Sequence, residues 1–235
     1  MATLTIQGGA PLTGEHRTPG NKNAALPMLA ACVLTDDPVT LTNLPLIDDV
    51  KVMLELLASL GADVRLEGHR VTVRGGSIDT DAPDERLCGA ARSSILLAGP
   101  MAARHGRVTL HPPGGDVIGR RRVDTHFDAL RQLGIHVAAE DTYTFTSEAL
   151  CGTTIVLDEA SVTATENGVM AAALAPGRTV LFNAACEPHV QALCEMLNAM
   201  GAHITGIGTN RLTIEGVRRL GGTTCAIPPD YVDTA

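Results

Sequence analysis

Three strongly apolar segments recur along the chain. They have the sequences AALPMLAACVL (24–34), SSILLAGPMAA (93–103) and NGVMAAALA (167–175). Each segment is long enough for two to three helical turns and has almost no polar position on any face. A helix without a polar face belongs in the interior of a globular protein. The pattern therefore predicts three buried helices, with amphipathic helices and sheets packed outside them.

Each apolar segment is followed by the same series of local signals. A short β-type run leads to an amphipathic helix that ends at a glycine, and an alternating strand comes behind that glycine. The β-type runs are VTL (39–41), VTL (108–110) and TVL (179–181); the helix ends are LGA (60–62), LGI (133–135) and MGA (200–202); the later strands are VTV (71–73), YTF (143–145) and LTI (212–214).

The series returns about every 70 residues, which indicates an α/β domain built from three similar units. A period of this length predicts internal repeats with threefold pseudosymmetry. A generic doubly wound α/β sheet would contain similar elements, although the repeat disfavours that alternative.

Composition narrows the classes of function. The 235 residues are 45% hydrophobic, include no Trp and carry a formal net charge of −8. This charge argues against nonspecific binding to nucleic acid or to anionic lipid. The six cysteines form no CxxC pair and no apolar stretch approaches the roughly 20 residues that span a bilayer. We expect a cytoplasmic protein with reduced thiols and no membrane segment.

The second unit contains a longer loop than the other two. From the strand end to the capping glycine the numbering advances by 20 between Leu41 and Gly61 but by 24 between Leu110 and Gly134. The excess falls in HPPGGDVIGRRR (111–122). Insertions of this kind on a regular scaffold commonly carry binding sites, while a solvated basic loop is the alternative.

The starts of the buried helices form a second candidate site. Lys22, Arg92 and Thr163 lie 17, 16 and 16 residues ahead of the strand starts at 39, 108 and 179. If these helix starts converge, their backbone N–H groups and positive dipole ends favour an anion, and Lys22 and Arg92 add full charge. A structural capping role is the alternative.

Five motifs give the chain a resemblance to a known family. It resembles the enolpyruvyl transferases over essentially its whole length, and Lys22-Asn23-Ala24 favours the branch that acts on a UDP-sugar over the sister shikimate-pathway enzymes. The resemblance implies an inside-out α/β barrel of three pseudosymmetric repeats, without metal or organic cofactor. The motifs are GNKNAALP (20–27), AARSSILLAGP (90–100), GGDVIGRRRVDTH (114–126), NAACEP (183–188) and LTIEGVRRLGG (212–222).

The resemblance implies transfer of the enolpyruvyl group of phosphoenolpyruvate to the 3-hydroxyl of UDP-N-acetylglucosamine, with release of phosphate through a tetrahedral intermediate. Catalytic roles are implied for Asp116, Lys22 and Arg121. Substrate contacts are implied for the residues that match the family's phosphate-binding, sugar-binding and uridine-side positions. They are Lys22, Asn23, Arg92, Arg121, Arg122, Val123, Asp124, Thr125, Ser161, Val162 and Thr163.

Three of these positions depart from the family's pattern. Arg122 stands where Pro is common, Thr163 stands where Gly is common, and Asp116 stands where many members carry a Cys. A carboxyl group at 116 would have to hold its proton near neutral pH to act as the acid, although an ordinary aspartate has a pKa near 4. Because epoxide antibiotics such as fosfomycin alkylate the family's thiolate, an Asp there predicts resistance.

The resemblance also implies a second, similar domain as partner. We expect 20–228 to form one enolpyruvyl-transferase-type domain, 1–19 to supply strands to the second domain, and 229–235 to begin that domain. On this interpretation the chain is a fragment, inactive alone. The alternatives are a noncatalytic UDP-sugar binding module and a 3-phosphoshikimate 1-carboxyvinyltransferase.

Overall fold

The computed structural model describes residues 3–9, 11, 13–114 and 122–234. The helices are α1 (Lys22–Ala31), α2 (Asp48–Ser59), α3 (Glu85–Ala90), α4 (Ala98–His105), α5 (Asp124–Gln132), α6 (Val162–Ala172), α7 (Pro188–Ala199) and α8 (Tyr231–Thr234). The strands are β1 (Val39–Thr42), β2 (Asp63–Glu67), β3 (Arg70–Arg74), β4 (Arg107–Leu110), β5 (Ile135–Ala139), β6 (Tyr143–Ser147), β7 (Thr154–Val156), β8 (Arg178–Phe182), β9 (His203–Thr205), β10 (Arg211–Glu215) and β11 (Thr223–Ala226).

The described strands form three separate sheets, with the orders β11-β1-β3-β2, β4-β6-β5 and β7-β8-β10-β9. Most neighbouring strands are antiparallel, and the parallel pairs are β1 with β11 and β7 with β8. The alternative of one doubly wound parallel sheet is therefore wrong. In each of the three units a strand is followed by a helix and then by a two-strand hairpin, which is the order that the sequence pattern predicted. The first strand of each hairpin was missed.

The three apolar segments lie in the interior, as predicted. Residues 24–31 of α1 and 164–172 of α6 are buried throughout, and the middle segment is buried from 94 to 102. The segments contact one another, α1 and α6 both packing against residues 92–97. The middle segment is a 3₁₀-helix over Arg92–Leu97 before it becomes α4. Pro100 lies in the first turn of α4 and has no N–H to donate to the carbonyl of Leu96.

The predicted glycine ends of the amphipathic helices are confirmed. Gly61, Gly134 and Gly201 follow α2, α5 and α7 with φ of 96°, 95° and 105°. Side chains with a Cβ rarely adopt this left-handed conformation, so glycine ends the helix there at low cost. Each of these glycines is followed, directly or after one residue, by the first strand of the next hairpin.

The segments before and after the buried core lie side by side. Gly20 forms an antiparallel bridge with Pro229, and the N–H of Asn21 donates to the carbonyl of Pro228 at 2.8 Å. The described residues before 19 form no helix or strand, and Leu4 is 83% exposed. None of the helices in the described part of the chain combines the length and apolarity needed to span a bilayer.

Candidate functional site

The amino ends of several helices line one open cleft of about 730 Å³. Its walls include the first turns of α1, α2, α6 and α7 and the start of the 3₁₀-helix at Arg92. The first N–H groups of a helix have no acceptor within that helix, and the dipole makes this end positive. A cleft surrounded by such ends favours a negatively charged ligand. The predicted residues in its lining are Lys22, Asn23, Arg92, Arg122, Ser161, Val162 and Thr163.

The start of α1 positions Lys22 and Asn23. The side chain of buried Asn21 caps this helix by accepting from the N–H of Ala24 at 2.9 Å. The next residue, Lys22, extends its ammonium group to Asp49 at the start of α2, with 2.8 Å between Nζ and Oδ2. An ammonium group has three N–H donors, so this contact leaves two for a ligand.

Arg122 is held by carboxylates rather than simply solvated. Its guanidinium group donates to both oxygens of Asp124, at 2.9 and 2.7 Å, and to Asp158 at 2.6 Å. These hydrogen bonds raise the pKa of Arg122 and lower the pKa of Asp124. The Arg122 carbonyl accepts from Nη2 of Arg92 at 3.0 Å. Arg122 therefore joins the cleft edge to α5 and also fixes the direction of Arg92.

Three predicted residues of the uridine-side loop lie outside the cleft lining. Val123 packs against the core, and Asp124 starts α5. Thr125 is buried and donates to Asp158 at 2.9 Å, a hydrogen bond that lowers the pKa of Asp158. Thr125 and Asp158 line a smaller neighbouring pocket. In this structure Val123 and Thr125 anchor the start of α5 through core packing and the hydrogen bond to Asp158.

The start of α6 presents polar groups to the cleft. Ser161 is the N-cap residue, and its hydroxyl accepts from the N–H of Ala164 at 3.4 Å. The first N–H that reaches a helical acceptor is that of Thr165, which donates to Ser161 at 3.0 Å. The N–H groups of Val162 and Thr163 thus precede the helical ladder. Both residues lie in the cleft lining, as a turn that binds a phosphate would require.

The sequence pattern missed a buried polar group in the cleft wall. Glu166 on α6 is 1% exposed, and its Oε1 has no partner among the described residues. Burial, together with the charge of Glu187, raises the pKa of Glu166 well above its usual value. His189 on α7 also lines the cleft, and both of its ring nitrogens lack a partner among those residues. The sequence signal for Glu166 was an acidic residue directly before an apolar helical run. It was missed because the predicted helix began only at 167.

The remaining predicted site residues fall in the second-unit loop. Asp116 and Arg121 lie outside the described residues, as does Arg120.

A family model for EPSP synthase (3-phosphoshikimate 1-carboxyvinyltransferase) matches residues 6–235. The chain belongs to this family. The EPSP synthase family assignment agrees with the resemblance carried by the five motifs.

Curated relatives in the EPSP synthase family are similar to the chain over nearly its full length. UDP-N-acetylglucosamine 1-carboxyvinyltransferase of Treponema denticola is 52% identical over 234 residues, which is 99% of this chain and 55% of that protein. The protein of the same name from Bradyrhizobium diazoefficiens is 49% identical, over 97% of this chain and 53% of that protein. The chain thus spans about half the length of the curated relatives it matches.

Two solved structures share the fold of this chain. The enolpyruvyl transferase NikO from Streptomyces tendae superposes with a TM-score of 0.83 at 23% identity, over 97% of this chain and 55% of that one. EPSP synthase from Acinetobacter baumannii superposes with a TM-score of 0.77 at 20% identity, over 94% of this chain and 51% of that one. The chain again spans about half the length of these longer proteins.

Proposed function

We propose that this chain is the first half of an enzyme that transfers the enolpyruvyl group of phosphoenolpyruvate to the 3-hydroxyl of UDP-N-acetylglucosamine, the first committed step of peptidoglycan synthesis. The observation that carries the proposal is the meeting of Lys22, Arg92 and the start of α6 in one cleft. Both substrates bear phosphate groups, and the cleft offers cations and helix N–H groups to them. The relatives' shared name supports the choice of sugar nucleotide.

In this reaction the sugar hydroxyl adds to the central carbon of phosphoenolpyruvate and gives its proton to a base, while an acid protonates the methylene carbon. In the second step the resulting methyl group of the tetrahedral adduct gives a proton to a base and phosphate leaves the central carbon, which restores the double bond. Lys22 holds the departing phosphate, and we assign the same role to Arg121. Positive groups fixed beside the phosphate stabilise the negative charge that it carries away.

Substrate positioning falls to the other predicted residues. Asn23, Arg92 and the turn Ser161 to Thr163 hold the sugar nucleotide at the starts of the buried helices. Val123, Asp124 and Thr125 shape the uridine side, together with Arg122. The support for these roles is that the residues occupy the cleft or the loop at its edge.

We assign the proton donor of the addition step to Asp116, which replaces the family's Cys. A carboxyl group can donate a proton to carbon only if its pKa rises, and desolvation beside the anionic substrate would raise it. The positive charges of Arg120 and Arg121 would instead lower the pKa of Asp116. The absence of a thiol at this position would make the enzyme resistant to fosfomycin.

We infer that the domain 20–228 is an inside-out α/β barrel of three pseudosymmetric repeats. The common element order of the three sheets supports this inference. Asn43 and Asn183 add further support, because each follows the first strand of its unit with φ of 57°. Each also donates its side-chain amide to a backbone carbonyl, of Ile227 at 3.1 Å and of Leu157 at 3.0 Å.

The active enzyme, on this proposal, needs a second half like those of the relatives. The antiparallel pairing of 19–21 with 228–230 supports a paired connection to that half, with 1–19 adding strands to it and 229–235 beginning it. A cleft enzyme needs two walls to exclude water from the reacting centre. The cytoplasmic location stays a prediction.

Calorimetric titration and a phosphate-release assay test the proposal. We expect the 235-residue chain to bind UDP-N-acetylglucosamine weakly and to release no phosphate, and the full reading frame that contains it to turn over. Tight binding by the chain, with no turnover by either protein, would instead identify a noncatalytic UDP-sugar binding module. Turnover of shikimate 3-phosphate in place of the sugar nucleotide would contradict the substrate assignment.

A further inference from the structure

A buried hydrogen-bond relay begins at Asn167 on α6. Its Oδ1 accepts from the backbone N–H of Gly99 at 2.8 Å, and its Nδ2 donates to the carbonyl of Ile95 at 2.9 Å. A backbone N–H can only donate and a carbonyl can only accept, so these two contacts fix which amide atom is the oxygen. The second hydrogen on Nδ2 points at Nδ1 of His126, 2.9 Å away. The nitrogen Nδ1 must therefore be an acceptor.

This arrangement determines which nitrogen of the His126 ring carries the hydrogen. A neutral imidazole carries one hydrogen, and with Nδ1 accepting, that hydrogen is on Nε2. The ring stays neutral because it is 1% exposed: burial, with the nearby charge of Arg92, lowers its pKa to about 4. The Nε2 atom lies 2.9 Å from the hydroxyl oxygen of Thr163. Hence His126 donates and Thr163 accepts.

The hydroxyl hydrogen of Thr163 is then left to donate elsewhere. Among the hydrogen bonds of the described residues, Thr163 Oγ1 has His126 as its partner and no acceptor for its own hydrogen. The residue lines the cleft in the first turn of α6, where its backbone N–H also precedes the helical ladder. Glu166 lies one turn further along, with a buried oxygen that also has no partner in the described residues.

We propose that Thr163 is a dedicated hydrogen-bond donor to a phosphate oxygen of the ligand, and that Asn167 and His126 are positioning residues that hold it in the donor state. This inference rests on the proposed function for the identity of the phosphate ligand. Thr163 Oγ1 accepts from His126, so its O–H is directed toward an acceptor in the cleft. The shared chemistry is a phosphate oxygen, supplied either by the sugar nucleotide or by phosphoenolpyruvate.

Binding to the 235-residue chain tests the donor role without requiring turnover. Dissociation constants are measured for UDP and for phosphoenolpyruvate with wild type, Thr163→Val and Thr163→Ser. We expect Thr163→Val to weaken binding of one of these ligands about tenfold or more, as loss of a hydrogen bond to a charged group does, and Thr163→Ser to stay near wild type. The ligand that loses affinity identifies the source of the phosphate.

Thr179→Val is the matched control. Thr179 is a fully buried threonine on β8 whose hydroxyl has no partner among the described residues, and it is not in the cleft lining. Its replacement should change neither dissociation constant. Equal affinity of wild type and Thr163→Val for both ligands, or no binding of either ligand by wild type, overturns the inference. Failure of enolpyruvyl transfer by the full reading frame is a separate result that bears on the proposed function.

The relay itself is read from the His126 ring by ¹⁵N NMR. We expect a neutral ring protonated on Nε2 at pH 7, with protonation of Nδ1 only near pH 4. The change His126→Phe should weaken ligand binding in wild type and have no further effect in Thr163→Val, because its action passes through the Thr163 hydroxyl. A ring that carries its proton on Nδ1, or an equal effect of His126→Phe in both backgrounds, contradicts the assignment.

Discussion

The ammonium group of Lys22 lies 2.8 Å from the carboxylate of Asp49, which joins the starts of two helices across the cleft edge. Both side chains are nearly half exposed, at 43% and 45%. Water screens such a pair, and exposed ion pairs typically contribute about 0–1 kcal/mol to stability. The contact thus orients the Lys22 charge toward the cleft without being a main support of the fold.

Replacement of Lys22 should separate binding from stability. We expect Lys22→Ala to change the free energy of unfolding by less than about 1 kcal/mol. In the full reading frame it should lower kcat/KM for phosphoenolpyruvate by about tenfold or more, because a charge-assisted contact to phosphate is lost. Chemical denaturation and steady-state kinetics measure the two effects.

The matched control is the chain's other lysine. Lys51 forms a similar pair with Asp48, at 3.1 Å, but is not in the cleft lining. Lys51→Ala should leave kcat/KM near wild type. An equal loss of kcat/KM in both variants would remove Lys22 from the site.

Glu166 should make the stability of the chain depend on pH. Its pKa in the folded state is raised above that in the unfolded state, so its contribution is fully favourable below the unfolded pKa of about 4.5 and is lost as pH rises toward the folded value. We expect Glu166→Gln to raise the Tm at pH 7 by at least about 2 °C, the shift that about 1 kcal/mol gives in a chain of this size. Calorimetry between pH 4 and 8 should show this gain shrinking as the pH falls.

Protonation of His126 destabilises the fold at low pH, because its pKa in the folded state is lowered. This effect is the same in wild type and in Glu166→Gln. The comparison therefore uses the difference in Tm at each pH. Glu195→Gln, at an exposed position on α7, is the control and should have little effect at any pH. A gain for Glu166→Gln that is the same at pH 4 and pH 8 would show that charge on Glu166 is not its cause.

The left-handed asparagine after β8 should be sensitive to substitution. Asn183 has φ of 57° and donates its amide to Leu157 at 3.0 Å. Asn183→Ala loses the hydrogen bond and adds steric strain, and we expect a cost of about 1–2 kcal/mol. Asn183→Gly should cost less, because glycine adopts this conformation freely. Urea denaturation measures both, with Asn210→Ala at an exposed loop position as control; if Ala is tolerated better than Gly, the backbone explanation is wrong.

The acid role of Asp116 predicts opposite results for two substitutions in the full reading frame. We expect Asp116→Asn to lose most turnover, since an amide cannot donate the proton to the substrate carbon. Asp116→Cys should retain activity and become sensitive to fosfomycin. Phosphate-release assays with and without the drug measure both. Near-normal turnover by Asp116→Asn would exclude the acid role.

Much of the fold followed from local pattern. The burial of α1, α6 and the middle apolar segment, and the glycine ends of α2, α5 and α7, were predicted correctly. Apolar periodicity and turn residues report whether an element is buried and where it stops, because both depend on a few neighbouring positions. The sequence pattern did not single out the hairpin strands β2, β5 and β9, which follow the capping glycines directly or after one residue.

The site was only partly visible in the sequence. Spacing suggested that Lys22, Arg92 and Thr163 could converge, and the structure places all three in one cleft. The spacing in the sequence could not show which side chains these residues contact. The pair of Lys22 with Asp49 crosses between helices, and the partners of His126 lie 37 and 41 positions away.

The sequence by itself determined the order of the elements in the repeated series, the burial of the three apolar segments and the glycine ends of the amphipathic helices. Only the tertiary structure decided that Glu166 is enclosed without a partner in the described residues, that Thr163 is left as a donor, and that β1 pairs with β11 at the other end of the chain. The physical reason is the distance along the chain over which each effect acts. Periodicity and capping act over a few residues, whereas hydrogen-bond direction and desolvation depend on groups that packing brings together from distant positions.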